Sequence, residues 1–237
     1  MRHLLLTLLA GILLTGSALA QGGLYVSPRL GYGTFQMSLM KEFQQRIIYE
    51  TQVNALATDS FSPYFQYGLG ISTDLTELTR VGTFIERGST GGRVAYEDYS
   101  GEIRVDNLVN YTAFGFLINT RKPLGNSGIS VMGGIEVNGF LSRLRMLSYS
   151  RIYDTRDSSE SDFNSFGFGV KPYIGLQRPF FNMPVELSAG YLAGMNGPFH
   201  LPGQQDSYLT LNNSDKKLKP DWNGLRINLT ISVPIMK

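Results

Sequence analysis

The chain has 237 residues, a formal net charge of +2, no cysteine, and 17% charged residues beside 27 glycines, 13 tyrosines and 14 phenylalanines. The near-neutral balance excludes a nucleic-acid binder that works through a basic face. The missing cysteine excludes a disulfide framework, a thiol catalyst and a lipid-modified cysteine, and so many aromatics exclude a disordered chain.

The first segment, "MRHLLLTLLAGILLTGSALA", has a basic start, an apolar run from Leu4 to Leu14, and a small-x-small close at Ala18-Leu19-Ala20. That pattern predicts a secretory signal peptide over 1–20, with 21–237 as one domain. Export without cysteine suits a bacterial envelope protein. No later apolar run approaches the ~20 residues that a membrane helix needs.

A two-residue alternation begins at "LYVSPRLGYGTF", with Leu24, Val26, Leu30 and Tyr32 on one side and Ser27, Arg29, Gly31 and Gly33 on the other. The next stretch, "SLMKEFQQRIIYETQVNALATDS", sets Phe43, Ile47 and Ile48 at near-helical spacing. It reads either as a short amphipathic helix over a rim or as an extension of its flanking strands. Alternation resumes in "FSPYFQYGLGIS", where Phe61, Phe65, Tyr67, Leu69 and Ile71 oppose Tyr64, Gln66, Gly68, Gly70 and Ser72.

Segments 79–87 and 103–119 are strand-like but less cleanly two-sided. In "ISVMGGIEVN", Ile135 and Val137 oppose Gly134, Glu136 and Asn138. In "SFGFGVKPYIGLQ", Phe166, Phe168 and Val170 oppose Gly167, Gly169 and Lys171. "VELSAGY" sets Leu187 and Tyr191 against Glu186 and Ser188, and "LRINLTISVPIM" sets Leu225, Ile227, Leu229 and Ile231 against Arg226, Asn228 and Thr230. Alternate side chains of a strand point to opposite faces, so each of these has one apolar and one polar face.

Eight strands result, and their connections alternate in length. "TDLTEL", "RKPLGNSG" and "RPFFNMP" are short turns, whereas 38–60, 88–102, 147–162 and 197–220 are long. This rhythm predicts an all-β, antiparallel, up-and-down transmembrane barrel with short periplasmic turns and long extracellular loops. An eight-stranded barrel is barely wide enough for its own side chains. The large aromatics are therefore expected toward lipid. The small residues, together with Arg29, Glu136, Lys171, Glu186 and Arg226, are expected inside, where the charges compensate one another.

The succession "YFQYGLGISTDLTELTRVGTFIERG" followed by "EIRVDNLVNYTAFGFLINTRKP" resembles the outer-membrane protein β-barrel domain family of small Gram-negative barrels. The resemblance spans 21–237 and rests on strand rhythm and turn placement. It implies residence in the outer membrane and contact with its lipid. One departure is the ending Ile235-Met236-Lys237, where such barrels often end on an aromatic residue.

No catalytic constellation stands out. His200, in "GPFHLPGQQDSY" with Asp206 and Ser207 nearby, invites a hydrolase reading, but all three lie on one loop and read as exposed loop residues. The Gly-x-Gly pairs at 31/33, 68/70 and 167/169 sit mid-strand, unlike the strand-to-helix turn of a phosphate loop. The acidic run "DTRDSSESD" lacks calcium-loop spacing. No catalytic residue, metal ligand or cofactor site is therefore assigned. The expected role is a filled barrel that acts structurally or through its extracellular loops on other envelope proteins or surface polymers. The alternatives are a barrel enzyme acting on lipid or peptide, and an accessory subunit of an envelope export or surface-assembly system.

Overall fold

The computed structural model describes residues 23–236 apart from 52, 54, 100 and 212–214, so the predicted signal peptide lies outside the described residues. Among the described residues the elements are β1 (Leu24–Gly33), α1 (Ser38–Glu50), β2 (Leu56–Ser60), β3 (Tyr64–Asp74), β4 (Thr79–Glu97), β5 (Gly101–Pro123) and β6 (Ser130–Ile152). There follow β7 (Thr155–Phe180), β8 (Met183–Asn196), β9 (His200–Leu201), β10 (Gln204–Tyr208), β11 (Gly224–Ile231) and β12 (Val233–Met236).

Eight of these form a closed antiparallel ring in the order β1-β3-β4-β5-β6-β7-β8-β11. The ring returns to its start where β11 pairs with β1, Leu30 opposite Leu229 and Tyr32 opposite Ile227. Closure leaves the ring without an open sheet edge, the condition for a sheet to sit in hydrocarbon.

The outward face is the predicted apolar one. Leu30, Phe65, Tyr67, Leu69, Phe166, Phe168, Ile174, Leu187, Tyr191, Ile227 and Leu229 are all exposed on it. No helix of the described residues is long and apolar enough to cross a membrane. Glycine is required where the lumen is tightest: a Cβ on Gly88 would stand 2.5 Å from the Tyr111 ring.

Strand lengths divide the ring into two storeys. β1, β3 and β11 have 10, 11 and 8 residues, close to the 9–11 that cross a bilayer. β5 and β6 have 23 residues each and β7 has 26. At about 3.3 Å per residue, β7 runs roughly 85 Å. The surplus of β4–β7 continues as a paired sheet past the ends of the shorter strands.

Two of the four expected long loops are thereby corrected. Segments 88–102 and 147–162 are mostly strand, joined by tight turns after Glu97 and at Tyr153-Asp154. The 38–60 segment combines both of its expected alternatives, a helix (α1) and then a strand (β2) paired with β4. Its buried face is carried by Met40 and Gln44, however, and Phe43, Ile47 and Ile48 are only half-buried. Two residues of the second predicted strand also change sides. Phe61 takes a left-handed φ of 50° and turns inward against Gly92, and Tyr64, opening β3, points outward.

The join between first and last strands is irregular. Its ladder lapses between the Val26–Val233 and Arg29–Thr230 pairs. Pro28 has no N–H to give there. The Ser232 N–H bonds the Pro184 carbonyl at 2.8 Å, and the Ser27 and Ser232 hydroxyls meet at 3.0 Å.

On this arrangement Leu229→Arg puts a cation on the lipid face and should destabilise the folded barrel by roughly 2–4 kcal/mol if it lies near mid-bilayer. Thr230→Ser on the same strand should leave the unfolding midpoint in lipid vesicles nearly unchanged. Equal effects of the two would contradict the assigned faces.

Candidate functional site

The lower lumen is a buried ionic network. Glu136 and Lys171 are direct cross-strand partners on β6 and β7, and their charged ends meet at 2.8 Å. Arg29 reaches the same carboxylate from β1 across the lumen, with Nη2 at 2.5 Å from Oε1, and its guanidinium lies over the Phe84 ring. Glu86 stands 4.0 Å from Arg29, and the Tyr111 hydroxyl lies 3.1 Å from Glu86 and 2.9 Å from Gln66. Nearer the short turns, Glu186 is met by Arg80 at 3.4 Å and by the Gln177 amide at 3.0 Å. Asp74 ties Arg80 at 2.8 Å and Arg121 at 3.1 Å.

Arg29, Glu136, Lys171, Glu186 and Arg226 are thus all buried, as their strand faces predict. Four of them find opposite charges. Arg226 makes no ion pair among the described residues, and its share in the compensation comes only through the more distant charge of Glu86. Its guanidinium is spent on main-chain carbonyls, the Trp222 oxygen at 2.6 Å and the Leu225 oxygen at 3.1 Å, with a further bond to Thr34, and it lies over the Phe35 ring. The Trp222 carbonyl comes from the end of the last loop, the Leu225 carbonyl from β11 itself and the Thr34 carbonyl from the residue after β1.

Above the ions the lumen becomes apolar, against the expectation of a polar interior throughout. Trp222 is buried with its ring 4.5 Å from Tyr111 and 5.2 Å from Phe35, and Tyr111 packs on Phe140 at 5.6 Å. The indole N–H is satisfied by the Ser142 hydroxyl at 2.8 Å. Met37 and Met40 from the α1 end, and Phe199, Leu211 and Leu218 from the last loop, complete one cluster with Val109, Leu144 and Phe163 of the wall. The cluster is a plug. The extended strands form its wall, and α1 and the last loop cover it. Gln44 anchors α1, its amide donating to the Asp59 and Arg93 carbonyls.

The outer face of the same extended strands is charged. Arg143 grips Asp162 with two hydrogen bonds, 3.0 and 2.6 Å, across the β6–β7 pair. Arg93 holds Asp106 across β4–β5, Arg104 adds a contact to Asp106 at 3.6 Å, and Arg145 bonds Glu160 at 3.0 Å. The Arg143 hydrogen bond, with the charges of Arg143 and Arg145, holds the Asp162 carboxyl below the usual carboxylate range.

His200 lies on β9, where its Nδ1 faces the Leu201 carbonyl at 3.2 Å. No hydrogen bond among the described residues joins it to Asp206 or Ser207, so the structure does not assemble the triad that their sequence proximity suggests. No group of three or more His, Asp or Glu residues suited to a metal occurs among the described residues. Sequence reasoning missed Arg80, Glu86 and Tyr111. The inward set of β4, Arg80, Phe84, Glu86 and Gly88, does alternate, but it mixes charge with an aromatic and hides the period.

A closed eight-stranded ring, an apolar outer band, short turns at one end and a charged, plugged lumen define a small outer-membrane β-barrel. No family model matches the sequence, and no curated protein does. Among solved structures the chain is similar to neisserial surface protein A, at 12% identity and a TM-score of 0.36, over 90% of this chain and 97% of that one. It is similar to Ail, the attachment invasion locus protein of Yersinia pestis, solved with the heparin analogue sucrose octasulfate, at 11% identity and a TM-score of 0.32, over 89% and 97%. The N-terminal β-barrel domain of Pseudomonas aeruginosa OprF gives 10% identity and a TM-score of 0.28, over 90% and 100%. Likeness this loose says nothing of role, and the assignment to a barrel rests on the ladder itself.

Two outcomes test the site. Glu136→Ala leaves Arg29 and Lys171 facing each other without their shared anion, and it should cost on the order of 3–5 kcal/mol in urea unfolding. An unchanged midpoint would contradict the network. The Asp162 clamp is complete above the ordinary aspartate pKa and is lost as pH falls through the lowered folded value. Carbon-detected NMR titration should find the Asp162 midpoint below that of a free aspartate, returning toward it in Arg143→Gln.

Proposed function

We propose that this protein is a non-conducting outer-membrane barrel that displays a rigid charged sheet to the outside and works by binding other envelope proteins or surface polymers there. On this reading residues 1–20 direct export and are removed, and 21–237 form the barrel. The observation that carries it is the division between two faces of one set of strands. Inward, β4–β7 hold a continuous plug of buried aromatics and ion pairs. Outward, the same strands carry Arg93, Arg104, Asp106, Arg143, Arg145 and Asp162, fixed by the ladder and by each other. Porin channels take about 16 strands, and an eight-stranded ring filled with side chains leaves no such passage.

A binding surface held on a sheet is pre-organised, so little conformational entropy is lost when a partner docks. Exposed ion pairs contribute little to stability, typically under about 1 kcal/mol each. Their concentration on this face is therefore better explained by recognition than by folding. The test is capture from native envelope extracts with the intact protein and with a variant carrying Arg104→Ser, Arg145→Ser and Arg151→Ser, the last a β6 residue whose guanidinium stands 3.9 Å from Glu97. The expected result is a set of partners held by the first and lost by the second, both proteins folding equally. Partners that bind the two alike, or steady ionic conductance of the intact protein in planar bilayers, would count against this function.

A further inference from the structure

The surplus lengths of β4–β7 form a sheet with two edges, and the two are finished differently. Along β4 the edge is covered by β2, Leu56 opposite Ala95 and Ser60 opposite Gly92. β2 is itself blunted: it has five residues, its register shifts between Ala57 and Asp59, and the Gln44 amide of α1 takes the Asp59 carbonyl. Shortness, a bulge and a covering element protect a sheet edge from further pairing.

Along β7 no such protection exists among the described residues. β8 leaves β7 at the pair of Gly167 and Asn196, and β9 adds a single bridge from His200 to Asn164. Over 155–163, β7 is paired with β6 alone, in unbroken register. At about 3.3 Å per residue this open edge is roughly 30 Å long. Residues 155–161 are exposed throughout.

The geometry also says which groups are open. The Phe166 carbonyl accepts the Gly197 N–H at 2.8 Å, on the side away from β6. A residue of an antiparallel strand turns its N–H and C=O to one side, and the next residue turns them to the other. Arg156, Ser158, Glu160 and Asp162 therefore turn theirs to the open side, and Asp157, Ser159 and Ser161 turn theirs to β6. Another extended backbone matches such a row in spacing and in donor–acceptor order.

Side chains narrow the choice. Past Asn164 the outward residues of β7 change from Phe166 and Phe168 to Asp162, Glu160, Ser158 and Arg156, so the edge stands in water. Arg145 already holds Glu160, and Arg143 holds Asp162. Arg156 makes no ion pair among the described residues, and its cross-strand neighbour is a second cation, Arg151. The charge left to be met is positive. A second copy of this chain does not fit, because two-fold pairing of sheet edges runs antiparallel, whereas copies in one membrane run the same way.

We propose that residues 155–162 of β7 are a docking edge for an extended segment of another protein, added to the sheet as a strand with an acidic residue beside Arg156. This rests on the outward binding role proposed above and names its mode. Main-chain bonds supply the attraction, and the Arg156 charge sets the preference.

The experiment uses the intact protein in lipid nanodiscs and a synthetic peptide of alternating threonine and valine with one glutamate among the threonines. Amide exchange followed by NMR should slow on peptide addition at Ser158, Glu160 and Asp162 and stay unchanged at Ser159 and Ser161. An N-methylated copy of the peptide should protect nothing, and a copy with lysine for the glutamate should bind severalfold more weakly. Ser158→Pro removes one open N–H without touching a β6 bond, a change that an edge strand tolerates. It should weaken peptide binding about tenfold, as the loss of one hydrogen bond does. The exchange pattern needs no variant, so the proposal stays testable if Ser158→Pro fails to fold. The protein carrying Arg104→Ser, Arg145→Ser and Arg151→Ser keeps the edge and should still bind the peptide, so failure of the charged face and failure of the edge are read separately. The proposal is overturned if no amide is newly protected, if neighbouring positions are protected alike, or if Ser158→Pro or the lysine peptide leaves binding unchanged. It is also overturned if vesicles carrying the protein cluster and Ser158→Pro disperses them, which would make the occupant a second copy.

Discussion

Hydrocarbon offers no partner to a backbone N–H or C=O, and every other feature of this barrel follows from that constraint. The sheet must close, and at eight strands the enclosed space is narrow. A narrow lumen cannot hydrate its charges freely, so each inward ion needs a protein partner at hydrogen-bond distance. Glu136 shows the consequence, standing between Lys171 on the neighbouring strand and Arg29 on the opposite wall. A well-packed apolar filling would be at least as stable as such a triad. What ions add is a penalty for misplacement. One residue of slip would send Glu136, Lys171 and Arg29 to the lipid side, and register is enforced.

How much of this could be read from the sequence depended on where each strand lies relative to the membrane surface. Strands such as β1, β8 and β11 stand largely within the bilayer, where outside means apolar along their length. Their alternation is clean, and Leu229 and Asn228 fall on the expected sides. β5 and β6 cross the surface and keep going. Beyond it the polarity of the two faces reverses, because the outside is now water and the inside is a protein core. Thus Phe114 and Leu141 face out below the boundary, whereas Asp106 and Arg143 face out above it, and Val109 and Leu144 turn in.

Averaged over the whole strand, such a pattern looks merely blurred, and residues 103–119 read that way. The period of two was intact throughout, and only its sign changed. A search for a reversal within one alternation would have found the boundary, and with it Tyr111. Partners across the lumen had no such signal. Arg80 and Glu186 are 106 positions apart and meet because of closure alone. The plug was equally hidden, since Trp222, Phe199 and Leu218 lie in an irregular loop and become core only when the rim folds over.

The interrupted join at Pro28 bears on how the barrel is completed. Most neighbouring strands of the ring are also neighbours in sequence, and they can zip together from a turn. β1 and the C-terminal strands cannot, since Ser27 and Ser232 are 205 residues apart. Loop closure over such a span is the slow and entropically expensive step of a β topology. The lapse in the ladder means that this last meeting is not driven by an unbroken run of backbone bonds. It is finished by side chains, Ser27 on Ser232 and Arg80 reaching the same hydroxyl at 3.3 Å. The nascent barrel therefore carries two unlike free edges, neither offering a complete template to the other or to a second chain. Edge-to-edge pairing between copies, the hazard of any half-built sheet, is disfavoured until the chain's own ends arrive.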